Sequence, residues 1–175
     1  MGLDISAFSG IEKIDCVFDA DGDAMHPVTR APIDYDVRVY ANPDFPGRAA
    51  GVEDRACYVS KDSCGLSMGY GAYNAWRNEL AKLAGYPETR QVNYGIAEMR
   101  YDAGAWLASS GPFWELINFS DCEGTIGPIV SAKLAKDFAE FEERAKAVGG
   151  HFYDRYHEWR EAFAMAADSG LVNFH

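Results

Sequence analysis

The hydrophobic pattern of this chain changes its period at about residue 70. Before that point apolar and polar residues alternate, as Leu3, Ile5 and Ala7 do with their neighbours, which is the period of a half-buried strand. Beyond it, apolar residues recur every three or four positions, as they do on one face of a helix. Strands followed by helices are typical of the α+β class. The sequence therefore predicts a small, mostly antiparallel sheet from the N-terminal half, with three or four helices packed on one face.

Turn residues and prolines divide both halves of the chain into elements. The predicted strands cover residues 3–7, 14–18, 35–40, 56–60 and 66–70. The predicted helices run from about 70 to a stop at Gly85, from 112 to 117, from 128 to 148 and from 152 to 168. For the short segment 112–117 a strand is the alternative, because periodicity does not decide so short a run. Residues 96–106 are a further candidate helix, weakened by two glycines, and residues 171–175 are expected to form a short tail that docks on the body.

Length and charge limit what such a chain can bind. Its 175 residues predict one domain, and a hydrophobic content of 48% is enough for a core. The net charge of −11 disfavours binding to a nucleic-acid backbone, because that requires an excess of lysine and arginine. The negative charge is compatible with binding a small ligand and with binding a basic protein partner.

The sequence also predicts the cellular compartment of the protein and the redox state of its cysteines. The N-terminal residues lack the basic start and the apolar stretch of a secretory signal, and no run of about 18 apolar residues occurs. We therefore expect a cytoplasmic protein without a membrane span. The cysteines match no zinc or redox spacing, so we expect them to be reduced; they are Cys16, Cys57, Cys64 and Cys122.

Alternating aspartates at Asp19, Asp21 and Asp23 raise the question of a metal site. They resemble the start of a calcium-binding loop, but the glycine comes too early and position twelve is Arg30 rather than glutamate. We therefore expect a solvated turn here. The sequence indicates neither a metal ion nor a cofactor.

The leading candidate site is the polar segment 118–128, which lies between two apolar segments. Pro128 takes the first position of the predicted helix and Gly127 its N-cap. The first N–H groups of that helix can then receive an anion or a substrate oxygen. The candidate ligand-binding residues of this segment are Asn118, Ser120, Asp121, Cys122, Glu123, Thr125 and Gly127.

The two acids of this segment narrow the class of ligand. Asp121 and Glu123 would repel a bare phosphate, whereas they suit ribose hydroxyls, a purine amino group or a cationic group. The alternative is purely structural: the acids complement the helix dipole, and Ser120 and Thr125 tie down a turn. Both interpretations stay open at this level.

Tyr70 and Arg77 add a second pair of candidate ligand-binding residues, at the start of the first predicted helix. An aromatic ring can stack on a base, and an arginine can hold a phosphate through two hydrogen bonds. Trp76 lies in the apolar stripe of the same helix and is expected in the core. Arg77 is expected on the exposed face, together with Asn78 and Lys82.

Three segments of the chain carry a resemblance to known sequences. Residues 1–9 (MGLDISAFS), 70–77 (YGAYNAWR) and 118–128 (NFSDCEGTIGP) together resemble a group of small, uncharacterised accessory proteins encoded by bacteriophages and prophages. The resemblance implies a phage-derived protein in the host bacterial cytosol, but no activity that could be transferred to particular residues. Phage accessory proteins of this size often counter host defence, which is an analogy at the level of the class.

The leading hypothesis is a protein that binds, and thereby sequesters, a small nucleotide-like molecule such as a host defence signal. One alternative is a hydrolase acting on such a ligand through the 118–128 segment, with Cys122 or Glu123 in the reaction. Another is an acidic inhibitor that binds a host protein. A homodimer is compatible with all three.

Overall fold

The computed structural model describes residues 2–93, 95–119 and 123–175. In chain order, its strands are β1 (Gly2–Ser9), β2 (Glu12–Lys13), β3 (Val17–Phe18), β4 (Ala24–Met25), β5 (Val37–Arg38), β6 (Cys57–Val59), β7 (Asp62–Gly69), β8 (Thr89–Asn93), β9 (Ile96–Arg100), β10 (Gly124–Ile126) and β11 (Leu171–Phe174). Its helices are α1 (Tyr70–Ala84), α2 (Tyr101–Leu107), α3 (Trp114–Ile117), α4 (Pro128–Val148) and α5 (Gly150–Ala166).

The main sheet has four antiparallel strands in the order β10-β11-β1-β7. Strand β1 is central: it pairs with β7 along its full length, and with β11 from Ile5 to Phe8. Its alternation places Leu3, Ile5 and Ala7 on one buried face, as the sequence predicts. Two of the four strands, β10 and β11, come from the C-terminal half of the chain.

Helices α1, α4 and α5 cover the buried face of this sheet and enclose an aromatic core. Trp76 of α1 and Trp159 of α5 stack with 5.2 Å between ring centroids and 15° between ring planes. Such large rings bury more apolar area than any aliphatic side chain and dominate the packing energy. The fully buried aromatic residues include Tyr73, Phe113, Phe119, Phe138, Tyr156, Trp159 and Phe163.

A second sheet, in the order β2-β6-β5, forms a smaller apolar cluster next to the main one. This cluster joins Val37, Val39 and Tyr58 to Phe8 and Leu171, which belong to the main sheet. The two sheets are therefore held together by shared side chains. Strands β8 and β9 form a separate two-stranded ribbon whose β9 side chains are mostly exposed.

The α+β class is confirmed, and the long helices follow their sequence patterns closely. Gly85 ends α1 in the left-handed conformation, with φ of 88°, as its position predicts. The candidate helix over 96–106 is wrong in its first half, because residues 96–100 pair with β8 and helix α2 begins only at Tyr101. The expected tail at the C-terminus is instead β11, an internal strand of the main sheet.

The aspartate-rich segment forms a turn that its own side chain stabilises. The Asp19 carboxylate accepts hydrogen bonds from the backbone N–H groups of Asp21 and Asp23, at 3.0 and 2.9 Å. Within the described ranges, no three His, Cys, Asp or Glu side chains come together as metal ligands would. None of the described helices combines the length and the apolar character needed to cross a membrane.

Candidate functional site

The segment 118–128 leads from the end of α3 through β10 to the start of α4. Ser120, Asp121 and Cys122 lie outside the described residues, so the roles predicted for them stay predictions. The described ends of the segment are anchored. The Tyr73 hydroxyl donates to the carbonyl oxygen of Phe119 at 2.8 Å, and the Asn42 amide donates to that of Glu123 at 2.7 Å. The side chain of Glu123 is exposed.

Arg77 and Asn118 meet at the start of this segment, but both are buried. Arg77 is only 4% exposed, and its guanidinium donates to the carbonyl oxygen of Ile117 and to the Asn74 side chain. Asn118 is also 4% exposed; its amide donates to the carbonyl oxygen of Ala105 at 3.3 Å. Its Oδ1 has no hydrogen-bond partner among the described atoms.

The predicted exposure of Arg77 is therefore wrong. Helix α3 packs against this side of α1, and the last carbonyl groups of α3 need hydrogen-bond donors. Arg77 supplies one of them to Ile117, and its guanidinium carbon lies 5.1 Å from the centre of the Tyr73 ring. Asn78 is half-buried, whereas Lys82 is exposed as predicted.

Thr125 and Gly127 make hydrogen bonds within the protein that hold the fold together. The Thr125 hydroxyl donates to Asn173 Oδ1 at 2.9 Å and accepts from the Tyr40 N–H at 3.1 Å. Gly127 is the N-cap of α4, as predicted, and its own N–H donates to the carbonyl oxygen of Arg48 at 2.8 Å. A Cβ added at Gly127 would lie 2.5 Å from the carbonyl oxygen of Ala50.

The start of α4 is not the open anion site that the sequence suggests. The segment 48–50 runs directly over it, and the N–H of Ile129 donates to the carbonyl oxygen of Ala50 at 3.4 Å. The carbonyl oxygens of Arg48 and Ala50 thus accept hydrogen bonds from N–H groups that a ligand would otherwise contact. Tyr70 is half-buried at the first position of α1 and packs against the core.

A cleft of about 470 Å³ lies between α1, the end of β7, Arg100 and the start of α5. This volume falls within the usual range for small-molecule sites. Five of its lining residues are apolar: Met68, Ala72, Ala75, Trp76 and Phe152. Five others are polar or charged: Asn78, Glu79, Arg100, His151 and Arg155.

The polar side chains of the cleft differ in how firmly they are held. Arg100 binds Asp102 through two hydrogen bonds of 2.8 and 2.6 Å, which raise the pKa of its guanidinium. Arg155 donates one hydrogen bond to Glu158 at 2.7 Å, and its other nitrogens have no partner among the described residues. Asn78 accepts from the N–H of Tyr101 at 2.8 Å, so its orientation is fixed.

The start of α5 brings backbone N–H groups to the same cleft. Its N-cap is Gly149, and no described side chain caps its first N–H groups. No acidic residue lies in its first turn, where His151 and Phe152 line the cleft. A helix start of this kind favours an anionic group nearby. This cleft thus combines a helix N-terminus and a histidine with two arginines, each paired with a carboxylate, and the acid Glu79.

Sequence reasoning missed this cleft because four separate segments build it. Among its lining residues, Trp76 fits the apolar stripe of α1, whereas Arg100, His151 and Arg155 belong to no sequence motif. A usable signal does exist in the uncapped start of the last helix, where Gly149-Gly150 is followed by a histidine and an aromatic residue. That signal indicates an anion-attracting helix end, but not which elements face it.

The fold and the cleft define an α+β protein with helices on one face of its main sheet and a ligand-sized cleft between two of those helices. Comparison with protein-family models, with curated proteins and with solved structures gives no match. The function must therefore be argued from the side chains themselves.

Proposed function

We propose that this protein binds a small nucleotide-like molecule in the cleft between α1 and α5. The single observation that supports this most is the make-up of the lining, which combines five apolar residues with two arginines and a histidine. A nucleotide needs the same two kinds of neighbour, apolar side chains for its planar ring and hydrogen-bond donors for its anionic group. The ligand class is the one that the sequence suggested, whereas the site lies away from segment 118–128.

Each part of the ligand has a chemically suitable neighbour. The ring would pack against Met68 and Phe152, with the edge of the buried Trp76 behind them. The anionic group would lie by Arg155 and the start of α5, where hydrogen-bond donors remain. The exposed Glu79 carboxylate would accept from a hydroxyl or an amino group. Arg100 is ion-paired with Asp102, so it would offer a guanidinium already fixed in place rather than additional net positive charge.

Sequestration of a host defence signal is the biological form of this proposal, and it rests on the resemblance to phage accessory proteins. Sequestration requires tight binding without turnover. The hydrolase alternative depends on segment 118–128, of which Glu123 is the one described acid with an exposed side chain. Binding and turnover are distinguished by recovering the ligand after incubation.

The experiment is a thermal-shift screen with nucleoside monophosphates, cyclic dinucleotides and ADP-ribose derivatives, followed by chromatography of the recovered compound. A ligand present at 100 times its Kd adds about 2.7 kcal/mol to the free energy of unfolding. For a domain of this size that corresponds to a rise in Tm of about 5–10 °C. Recovery of the intact compound supports binding alone, and a chemically altered compound supports the hydrolase. A flat response to every compound contradicts both.

A protein partner is the second candidate function, and the ribbon of β8 and β9 favours it. Val92 and Met99 are 56% and 55% exposed. Val92 pairs with Ala97, two residues from Met99 on the same strand, so Val92 and Met99 lie on the same face of the ribbon. Apolar side chains that are exposed together on one face of a ribbon are typical of a contact surface. If Val92→Ser with Met99→Ser abolished capture of a host protein while leaving nucleotide binding unchanged, this second function would be supported.

A further inference from the structure

Cys57 of β6 is a buried thiol on the outer face of the smaller sheet. The next residue, Tyr58, and its cross-strand partner Val37 belong to the apolar cluster that joins this sheet to the main one. Because successive side chains of a strand point to opposite faces, Cys57 points away from that cluster. Its exposed fraction is nevertheless 0%. Another part of the chain therefore covers it.

The chain from the end of β2 through β3 provides this cover. The N–H of Ile14 donates to the carbonyl oxygen of Cys57 at 3.0 Å, directly after β2 pairs with β6. Four residues later, the Phe18 ring lies against Arg38, with 3.8 Å between the guanidinium carbon and the ring centroid. Arg38 is the residue of β5 directly opposite Cys57, so both side chains lie on the outer face. The chain thus crosses this face over Cys57, and Cys16 lies at the midpoint of the crossing.

The thiols of Cys16 and Cys57 are in contact there, joined by a hydrogen bond. Cys16 is half-exposed, whereas Cys57 is buried. Burial, with a smaller contribution from Cys16, raises the pKa of Cys57 to about 11, so Cys57 keeps its proton at neutral pH. Cys16 is therefore the member of the pair that meets reagents from solvent. Cys64, the third described cysteine, belongs to β7 of the main sheet.

We propose that Cys16 and Cys57 form a reversible disulfide by exchange with a small disulfide such as oxidised glutathione. The Cys16 thiolate attacks one sulfur of glutathione disulfide and becomes a mixed disulfide. The first glutathione leaves as a thiolate and takes up the proton that Cys16 lost. The Cys57 sulfur then bonds to the Cys16 sulfur, the mixed disulfide breaks, and the Cys57 proton leaves with the second glutathione. Two cysteine thiols are oxidised, and one glutathione disulfide is reduced to two thiols.

This modification site is separate from the proposed nucleotide site, because neither cysteine lines the cleft. The bond fastens the hairpin of β3 and β4 to the smaller sheet. A cross-link between residues distant in sequence reduces the conformational freedom of the unfolded chain. The Tm of the oxidised protein should therefore lie about 5–15 °C above that of the reduced protein.

The test is incubation of the full chain with oxidised glutathione, blocking of the remaining thiols with N-ethylmaleimide, and tryptic mapping without reduction. Trypsin leaves each of the four cysteines on its own peptide, namely 14–30, 56–61, 62–77 and 101–133. The main product should be peptide 14–30 joined to peptide 56–61. It should come from protein that runs as a monomer on a non-reducing gel, and dithiothreitol should reverse it.

Three variants distinguish the roles of the two thiols. Cys57→Ala should stop the exchange after its first step, so that glutathione accumulates on Cys16. Cys16→Ser should leave Cys57 largely unmodified, because the buried thiol does not meet glutathione disulfide directly. Cys64→Ser is the matched control and should form the bond as the unchanged protein does. Circular dichroism of each variant checks that it is folded.

Four results would overturn the proposal. They are the absence of a bond between Cys16 and Cys57 after prolonged incubation, a bond from either of them to Cys64 or Cys122 instead, a bond between two chains, and an oxidised protein that unfolds at a lower temperature than the reduced one. The last result would mean that the bond distorts the fold, and so that the two thiols are not placed to form it.

Discussion

Arg77 of α1 donates a hydrogen bond to the carbonyl oxygen of Ile117 at the end of α3. One buried guanidinium thus joins two helices and satisfies a carbonyl group that a short helix leaves without an internal partner. No carboxylate of the described residues pairs with it. The charge is compensated by a carbonyl oxygen, an amide oxygen and the face of the Tyr73 ring.

Arg77→Met should lower the free energy of unfolding by about 2–3 kcal/mol, because it leaves the Ile117 and Asn74 oxygens without their donor. Arg77→Lys should recover only part of this loss, since an ammonium group cannot reproduce the planar fork of a guanidinium. Urea unfolding of the three proteins measures the difference. A loss below about 0.5 kcal/mol for Arg77→Met is typical of an exposed side chain and would contradict the burial described here.

Thr125→Val should be destabilising by about 1–3 kcal/mol, although valine has nearly the same shape. The substitution removes the hydroxyl that donates to Asn173 and accepts from the N–H of Tyr40. Thr125→Ser is the matched control, because it keeps the hydroxyl and loses a methyl group. If valine proved as stable as serine at this position in urea unfolding, the hydroxyl would have no structural role.

Gly127→Ala should cost about 1–3 kcal/mol, because the added Cβ would overlap the backbone of Ala49 and Ala50. Gly71→Ala is the comparison: a Cβ there meets nothing within 4 Å, and alanine favours the helix by about 0.5–1 kcal/mol. The two substitutions should therefore shift Tm in opposite directions. Equal shifts would mean that segment 48–50 does not cover the start of α4.

Cys57 should be the slowest of the described cysteines to react with iodoacetamide at pH 8. Burial, with a smaller contribution from the Cys16 thiol, raises the pKa of Cys57 to about 11. A thiol with this pKa is about 0.1% ionised at pH 8, and the thiolate is the reactive form. Because the folded pKa is raised, the stability gained is present below the ordinary thiol pKa and is lost as the pH rises through about 11.

Peptide mapping by mass spectrometry gives the rate of alkylation at each cysteine. Urea-unfolded protein provides the control, because all of its cysteines react. The half-exposed Cys16 and Cys64 should be modified first. Modification of Cys57 as rapidly as Cys16 in the folded protein would contradict its burial.

The elements that the sequence predicts best are those whose pattern extends over many residues. The stripe of Leu134, Phe138 and Phe141 identifies α4, and alternation at Leu3 and Ile5 identifies β1. In both cases the buried face is decided by local periodicity. Short elements offer no such pattern. Strands β10 and β11 have three and four residues, and they exist because β1 provides a template for β11 and β11 for β10.

The candidate site was harder to predict than the fold, because tertiary contacts decide which polar groups remain available. Thr125 and Gly127 look like ligand-binding residues in a polar turn, but Asn173 and segment 48–50 engage them. Arg77 looks exposed on its own helix, but α3 packs over it. Conversely, Arg155 belongs to no motif and becomes a candidate only because α5 places it beside α1.

Filling the cleft tests the proposed function most directly. Ala75 is exposed on α1 and lines the cleft, so Ala75→Trp should occupy the space for the ligand ring without disturbing the core. Ala139→Trp makes the same change on the exposed face of α4, outside the cleft, and is the matched control.

Isothermal titration of both variants with the nucleotide that gives the largest thermal shift is the decisive measurement. The account predicts that Ala75→Trp raises the Kd at least about thirtyfold, which is about 2 kcal/mol, while Ala139→Trp binds as tightly as the unchanged protein. Equal affinity in the two variants would place the ligand elsewhere and contradict the assignment of the cleft.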